Sequence, residues 1–311
     1  MLKGIAPVAI IGHPTPMESC KRVFCVVVLS LAVVFASGLK ASAEIEVDLQ
    51  LVLAVDVSLS MDEVEQRLQR DGFIEAFREP EVVKAITTGE FRRIAVTYVE
   101  WGGAGFQRVV VPWRVIDGEE SAAAFSRELA AQPIRREQRT SISQALIFSS
   151  TLFENSGLTS KRRVIDVSGD GPNNSGLPVA EVRDKLVSAG IIINGLAIQL
   201  PRSTSNNTLF DLPDLDRYYA DCVVGGEGSF VLPIVDQLQF GIAIRQKLLL
   251  EIADLGPHRP EFDLRRRADT ISPDAATLIY RAQFSTGSPW RGYDCLIGEK
   301  RWEMFIRGRR Y

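Results

Sequence analysis

The sequence predicts an α/β fold in which a doubly wound, mostly parallel sheet of six strands carries helices on both faces. Strand-like and helix-like segments alternate from Ile45 onward, which is the order that builds parallel sheets from repeated strand–helix units. The first strand becomes continuously apolar, as a strand covered on both faces does. With 311 residues, 46% of them hydrophobic and 24% charged, the chain is long enough for one large domain or two small ones.

The predicted strands are short apolar runs rich in β-branched residues. In chain order they are Val47–Asp56, Arg92–Trp101, Arg108–Ile116, Arg162–Gly169, Ile191–Ile198 and Gly228–Ile234. Because Pro112 has no backbone N–H to donate to a neighbouring strand, it places the third strand at an edge or a bulge of the sheet.

The segments between the strands have helical patterns. These helices are Glu63–Arg78, Gly118–Gln132, Thr140–Glu154, Leu177–Gly190 and Val235–Ala253. Ser60 and Glu63 have the spacing of a capping box, which predicts that the first helix opens there. Gly190 is a typical residue to end a helix.

Residues 1–43 have the pattern of an export leader. Two basic residues precede an apolar run, Val23–Ala36, and Ala43 ends a small-x-small motif, so we expect cleavage after Ala43. The mature protein would then be periplasmic or secreted. The apolar run is shorter than the roughly 18 residues of a spanning helix. An uncleaved anchor and a true start at Met17 remain alternatives.

The mature chain divides into a predicted domain over 46–253 and an extension over 254–311. The extension is rich in arginine, proline and aromatic residues without clear periodicity, and we expect it to be irregular. Two cysteines remain after cleavage, Cys222 and Cys295. An exported compartment permits a disulfide between them, but their spacing does not decide whether they pair.

Several function classes find little support in the sequence. The formal net charge of −3 gives no basic surplus for nucleic acid or an anionic membrane. Only His13 and His258 occur, one in the leader and one in the extension, so a Ser-His-Asp arrangement has no base in the domain. The sequence also has no phosphate-binding P-loop and no zinc-protease motif.

Oxygen-bearing side chains lie at the ends of three segments of the predicted domain. Asp56, Ser58 and Ser60 come at the end of the first strand, Asp170 follows the fourth strand, and Thr140 precedes a helix. Ligands of open parallel sheets bind at the carboxyl ends of the strands. In an extended segment every second side chain points the same way, so the oxygens of the first group can converge.

Carboxylate and hydroxyl oxygens are typical ligands of hard divalent cations such as Mg²⁺. Two carboxylates would balance the charge of the cation, and neutral hydroxyls would leave it able to attract a further anionic oxygen. The alternative is that Ser58 and Ser60 only cap the following helix. That alternative leaves Asp56, at a position expected to be buried, without an explanation. Asn173 and Asn174 are turn residues or supports behind the metal.

Together the D-x-S-x-S motif of Asp56, Ser58 and Ser60, then Thr140, then Asp170 resemble the metal-ion-dependent adhesion site of von Willebrand factor type A (VWA) domains. The stretches "DVSGDGPNN" and "YYADCVVGGEGSF" resemble an uncharacterised branch of VWA-like proteins exported by proteobacteria. The sequence departs from the VWA pattern at Arg139, where a glycine is common.

This resemblance implies a VWA/Rossmann-like sheet with strand order 3-2-1-4-5-6 and an antiparallel edge strand. It implies a Mg²⁺ or Mn²⁺ ion held by Asp56, Ser58, Ser60, Thr140 and Asp170, and a protein or peptide partner whose Asp or Glu carboxylate completes the ligand set. It also implies a last helix that shifts between affinity states. A non-enzymatic binding module is therefore expected. A scaffold with a structural metal is the alternative, and a metal-dependent phosphohydrolase is less favoured.

Overall fold

The secondary structure follows the predicted alternation over most of the chain. The computed structural model describes residues 44–200, 211–252, 280–281 and 292–308. The strands are β1 (Ile45–Val47), β2 (Gln50–Asp56), β3 (Ile94–Trp101), β4 (Gln107–Ile116), β5 (Leu158–Ser160), β6 (Arg163–Gly169), β7 (Ile191–Ile198), β8 (Phe230–Ile234) and β9 (Tyr280–Arg281). The helices are α1 (Glu63–Ala76), α2 (Pro80–Ile86), α3 (Glu119–Ala130), α4 (Ile142–Thr151), α5 (Val179–Ser188), α6 (Leu215–Tyr218), α7 (Phe240–Ile252) and α8 (Ile297–Gly308). The leader prediction lies outside the described residues.

The main sheet confirms the predicted fold class. Its strand order is β4-β3-β2-β6-β7-β8-β9. The strands from β3 to β8 are parallel, and β4 pairs antiparallel with β3 at one edge. Numbered as predicted, the first six strands have the order 3-2-1-4-5-6. The pairing of β4 shifts register on both sides of Tyr98, opposite Val111, so Pro112 lies beside a bulge in an edge strand.

The continuous apolar run of β2 is explained by cover on both faces of the sheet. All seven residues of the strand are buried. Leu51 and Leu53 belong to the hydrophobic cluster formed with α1, α2, α3 and α7. Val52 and Ala54 belong to the cluster formed with α4 and α5. Alternate side chains therefore point into two separate cores, and the end of β2 is held rigidly where the predicted site begins.

A buried ion pair fastens α7 to β6. The Lys247 Nζ lies 2.8 Å from Asp166 Oδ1 and 2.5 Å from Glu251 Oε1, and all three side chains are at most 1% exposed. Burial and, to a lesser extent, the nearby charge of Glu251 raise the pKa of Asp166 to about 7, although Lys247 opposes both effects. Asn194 on β7 donates a hydrogen bond of 3.1 Å to Glu251 Oε1. Removing the lysine from such a cluster would leave two carboxylates buried without a counter-charge.

The C-terminal extension differs from the expected irregular segment at the residues that the structure describes. Residues 297–308 form α8, and β9 adds an antiparallel strand to β8. A disulfide joins Cys222 to Cys295, with a Cα–Cα distance of 5.4 Å. Trp302 and Phe305, three residues apart on α8, have ring centroids 5.5 Å apart. Among the described residues, no helix combines the length and apolar character needed to cross a membrane.

Candidate metal centre

Four of the five predicted ligands form one chain of hydrogen bonds at the carboxyl end of the sheet. The Ser58 amide donates to Asp56 Oδ1 at 2.7 Å. The hydroxyls of Ser58 and Ser60 share a hydrogen bond of 2.7 Å. The Ser60 hydroxyl then donates to Asp170 Oδ1, also at 2.7 Å. The structure thus brings together a carboxylate on the last residue of β2, a carboxylate just after β6 and the two hydroxyls between them.

The serines are not used to cap the helix that follows them. The N-cap of α1 is Asp62, whose carboxylate accepts hydrogen bonds from the amides of Val64 and Glu65, while the Glu65 carboxylate accepts one from the Asp62 amide. The predicted capping box at Ser60 and Glu63 is therefore wrong by two residues. Since Asp62 satisfies the free amides of the helix end, the hydroxyls of Ser58 and Ser60 bond to each other and to Asp170 instead.

Thr140 lies in a loop that is tied to the ends of two strands. The Glu137 amide donates to the carbonyl of Val57, just past β2, at 2.8 Å. The Ser141 amide donates to the carbonyl of Gly102, just past β3, also at 2.8 Å. Thr140 is 4% exposed. The loop therefore holds the fifth predicted ligand at the same rim of the sheet as the other four, through hydrogen bonds of its backbone.

Two asparagines connect the Thr140 loop to the loop that carries Asp170. Asn174 bonds Thr140 twice, because its amide donates to the Thr140 carbonyl at 2.9 Å and its Oδ1 accepts the Thr140 amide at 3.0 Å. Asn173 Oδ1 accepts the Ser143 amide at 3.1 Å. The sequence left these residues as turn residues or supports. The structure shows that they cross-link the loops on either side of the site.

Burial makes the ionised form of Asp56 costly. Its side chain is fully buried, and Asp56 Oδ2 has no hydrogen-bond partner among the described residues. Desolvation raises the pKa of Asp56 well above its ordinary value, and the nearby charge of Asp170 raises it further. A divalent cation would remove both causes. Its charge would replace the lost solvation of the Asp56 carboxylate and would offset the repulsion between Asp56 and Asp170.

Gly169 and Tyr219, which the sequence did not single out, shape the floor beneath Asp56. A Cβ on Gly169 would lie 2.9 Å from Asp56 Oδ2 and 2.8 Å from the Tyr219 hydroxyl, so only glycine leaves this space open. Tyr219 is the first residue of a π-helical turn, Tyr219–Val223, and its buried hydroxyl has no hydrogen-bond partner within the described part of the chain. Single π-helical turns often mark functional sites, and this one could have been found only from the structure.

The donor atoms of the site are all oxygens. Two carboxylates and three hydroxyls suit a hard cation such as Mg²⁺ or Mn²⁺ better than a soft one. In the described ranges there is no group of three or more His, Cys, Asp or Glu side chains that could hold a metal, so a cation here would depend on the hydroxyls as well as the carboxylates. The unpartnered Asp56 Oδ2 and the hydroxyl chain fit such an ion.

The fold and the site define a class: a doubly wound α/β domain with an oxygen-lined rim at the carboxyl ends of its parallel strands. Comparison with known sequences identifies the family to which the chain belongs. A model of the family described as "Protein of unknown function (DUF1194)" matches residues 46–256, which is more than half of the chain. The chain therefore belongs to this family. A search of curated proteins found no match.

Solved structures with a similar fold include VWA proteins. Proximal thread matrix protein 1 from the mussel byssus is 14% identical, with a TM-score of 0.48, and the match covers 68% of this chain and 49% of that protein. A von Willebrand factor type A protein from Catenulispora acidiphila is 16% identical, with a TM-score of 0.47 and coverages of 66% and 43%. The match thus spans less than half of either protein. The conserved hypothetical protein BatB from Bacteroides thetaiotaomicron is 18% identical, with a TM-score of 0.41 and coverages of 66% and 98%.

Proposed function

We propose that the protein is an exported VWA-like binding module that recognises a carboxylate-bearing protein or peptide through a Mg²⁺ or Mn²⁺ ion. The ion would be held by Asp56, Ser58, Ser60, Thr140 and Asp170. The observation that carries the proposal is the hydrogen-bonded chain from Asp56 to Asp170, together with the buried Asp56 Oδ2, which has no partner in the part of the chain that the structure describes.

The charges of the site favour an anionic ligand. Two carboxylates balance the charge of a divalent cation, and the three hydroxyls add oxygen atoms without adding negative charge. When bound, the cation would supply a Lewis-acidic position that accepts a further carboxylate oxygen. The residues of this chain orient the donors: the Asn174 bonds fix the Thr140 backbone, and the Ser58 amide fixes the rotation of the Asp56 carboxylate.

Export to the periplasm or the medium is part of the proposal. The leader pattern over 1–43 and the predicted cut after Ala43 are its basis in the sequence. The Cys222–Cys295 disulfide supports it, because disulfides persist mainly in oxidising compartments.

Two alternatives remain distinct from the binding module. In the first, the protein is an assembly scaffold and the metal only stabilises the fold. In the second and less favoured one, the site is a Mg²⁺-dependent phosphohydrolase, which would need a nucleophile or a second metal.

Calorimetric titration of the chelator-treated protein with Mg²⁺ and Mn²⁺ tests the metal site first. We expect one site in the wild type, loss of binding in Asp170→Ala, and no change in Asp62→Asn, which alters an equal charge at an exposed helix cap. Partner capture with and without EDTA then separates the functions. Capture that survives chelation while thermal stability falls would favour the scaffold. Turnover of a phosphoester that needs Mg²⁺ and Asp56 would favour the hydrolase.

A further inference from the structure

Arg139 has an unusual backbone conformation directly beside a predicted metal ligand. Its φ angle is +66°, in the left-handed region that glycine adopts readily and that other residues avoid. It precedes Thr140, and its side chain is exposed. Strained residues of this kind persist where the surrounding structure fixes them, and they are concentrated at binding sites. The chain therefore tolerates strain to place an arginine here.

The guanidinium of Arg139 is held in one position from two sides. Its Nη2 donates a hydrogen bond of 3.1 Å to the carbonyl of Asn174. Its Cζ lies 4.4 Å from the ring centroid of Trp302 on α8. Stacking uses the face of the planar guanidinium and leaves N–H groups along its edge. An arginine has five such donors, and an exposed edge can donate two of them to one carboxylate.

Helix α8, which supplies Trp302, is itself fixed against the rim of the site. The disulfide of Cys295 lies just before the helix. Gly298 packs directly against the carbonyl of Asn173, where a side chain would not fit. The Asn173 side chain donates to Glu299 Oε1 at 2.7 Å. The position of the Arg139 guanidinium therefore depends on a helix bonded to the loop that follows Asp170.

The charges of the Thr140 loop favour an acidic ligand. Residues 135–140 contain Arg135, Arg136 and Arg139 against one acidic residue, Glu137, in a chain whose formal net charge is −3. Asp56 and Asp170 would balance a divalent cation, so they would not also neutralise the net positive charge of this loop. A ligand with a single carboxylate would complete the metal but would not neutralise the arginine beside it.

We propose that Arg139 is a specificity-determining residue that binds a second acidic group of the ligand, so that the site prefers peptides with two neighbouring carboxylates. This inference rests on the proposed metal-dependent carboxylate binding and adds the class of ligand. Trp302 acts as a positioning residue that, with the Asn174 carbonyl, holds the guanidinium in place.

Three synthetic peptides of equal length test the proposal on the oxidised mature chain in Mg²⁺. They contain an adjacent Asp-Glu pair, a single Glu, or Gln in place of both acids. We expect the paired peptide to bind about tenfold more tightly than the single-Glu peptide, the size of effect that one added charge-assisted contact gives. Arg139→Gln should abolish this preference and keep Mg²⁺ affinity, Arg139→Lys should restore part of it, and Trp302→Ala should lower it with the charge intact.

Arg135→Gln is the matched control, because it removes the same charge from the same loop. It should keep the preference for the paired peptide. Equal binding of the two acidic peptides to the wild type, or an undiminished preference in Arg139→Gln, would overturn the role of Arg139 and leave single-carboxylate binding standing. If neither acidic peptide binds in Mg²⁺, the proposed carboxylate recognition is itself wrong and this inference is wrong with it.

Discussion

The substitution Asp56→Asn should change the stability of the protein in opposite directions with and without metal. Asparagine keeps the oxygen that accepts the Ser58 amide at 2.7 Å and removes the negative charge. In the metal-free protein this charge is fully buried, its Oδ2 has no partner among the described residues, and Asp170 is close by. We therefore expect Asp56→Asn to be more stable than the wild type when metal is absent.

The stability gained by the variant without metal and the stability gained by the wild type on binding Mg²⁺ should have comparable sizes. An unpaired buried group costs about 1–3 kcal/mol, and more when it is charged. Asparagine still leaves one polar group unpaired, but it removes the extra cost of the charge and the repulsion from Asp170, so the free energy of unfolding should rise by about 1–2 kcal/mol in EDTA. Mg²⁺ at a hundred times its dissociation constant stabilises the wild type by about 2.7 kcal/mol. Because the variant would no longer bind Mg²⁺ tightly, the order of stability should reverse when the metal is added.

Urea denaturation in EDTA and in Mg²⁺ measures both differences. The raised pKa of Asp56 means that the folded protein holds this proton more firmly than the unfolded chain does. The protonated Asp56 therefore contributes to the stability of the folded protein at low pH, and this contribution is lost as pH rises from about 4 towards the raised pKa. In EDTA, the advantage of the variant should grow with pH. Asp62→Asn should show neither effect, because asparagine caps helices as well as aspartate. A variant that is less stable than the wild type in EDTA, or equally stabilised by Mg²⁺, would refute the reasoning.

Three further substitutions test other parts of the structure. Lys247→Met should lower the free energy of unfolding by about 3–5 kcal/mol at pH 8. The loss should be smaller at pH 5, because the pKa of Asp166 is about 7 even with the lysine present, and the carboxylate then takes up a proton. Urea denaturation at the two pH values checks this. Gly169→Ala should weaken Mg²⁺ binding, measured by calorimetry, while the chain still folds. The added methyl group would lie 2.8 Å from the Tyr219 hydroxyl and would crowd the buried Asp56 carboxylate. Unchanged affinity would contradict this account. Cys295→Ser opens a link across 73 residues and should cost about 3–4 kcal/mol, with faster hydrogen exchange in α8; exchange as slow as in the oxidised wild type would show that packing alone holds the helix.

The core of the fold could be predicted because its signals are local. The continuous apolar run of β2 indicates that both faces of the sheet are covered, and Pro112 indicates an edge strand. The helix start after β2 could not be fixed in the same way, because Ser60 with Glu63 and Asp62 with Glu65 both satisfy the capping-box spacing. Only the position of Asp170, more than a hundred residues away, shows that Ser60 is engaged elsewhere.

The sequence could place the candidate ligands of the site at one edge of the sheet, but it could not identify the residues that support them. The alternation of Asp56, Ser58 and Ser60 is visible along the chain, and the carboxyl ends of parallel strands bring distant loops to one edge. The bond between Asn173 and Glu299 joins residues 126 positions apart, and no local pattern marks either one. The helix α8 was missed for a related reason, since its position depends on a disulfide and on contacts with distant loops.

The Lys247 ion pair has a consequence for how ligand binding can be communicated through the molecule. Asp166 stands four residues before Asp170 along the same stretch of chain, and its partner lies on α7. Sliding α7 by one turn, about 5.4 Å, would pull opposite charges apart in the interior at a cost of several kcal/mol. Helix α7 is thus fixed to β6, the strand that leads to Asp170, and occupancy of the candidate metal site would be transmitted by both elements moving as one body.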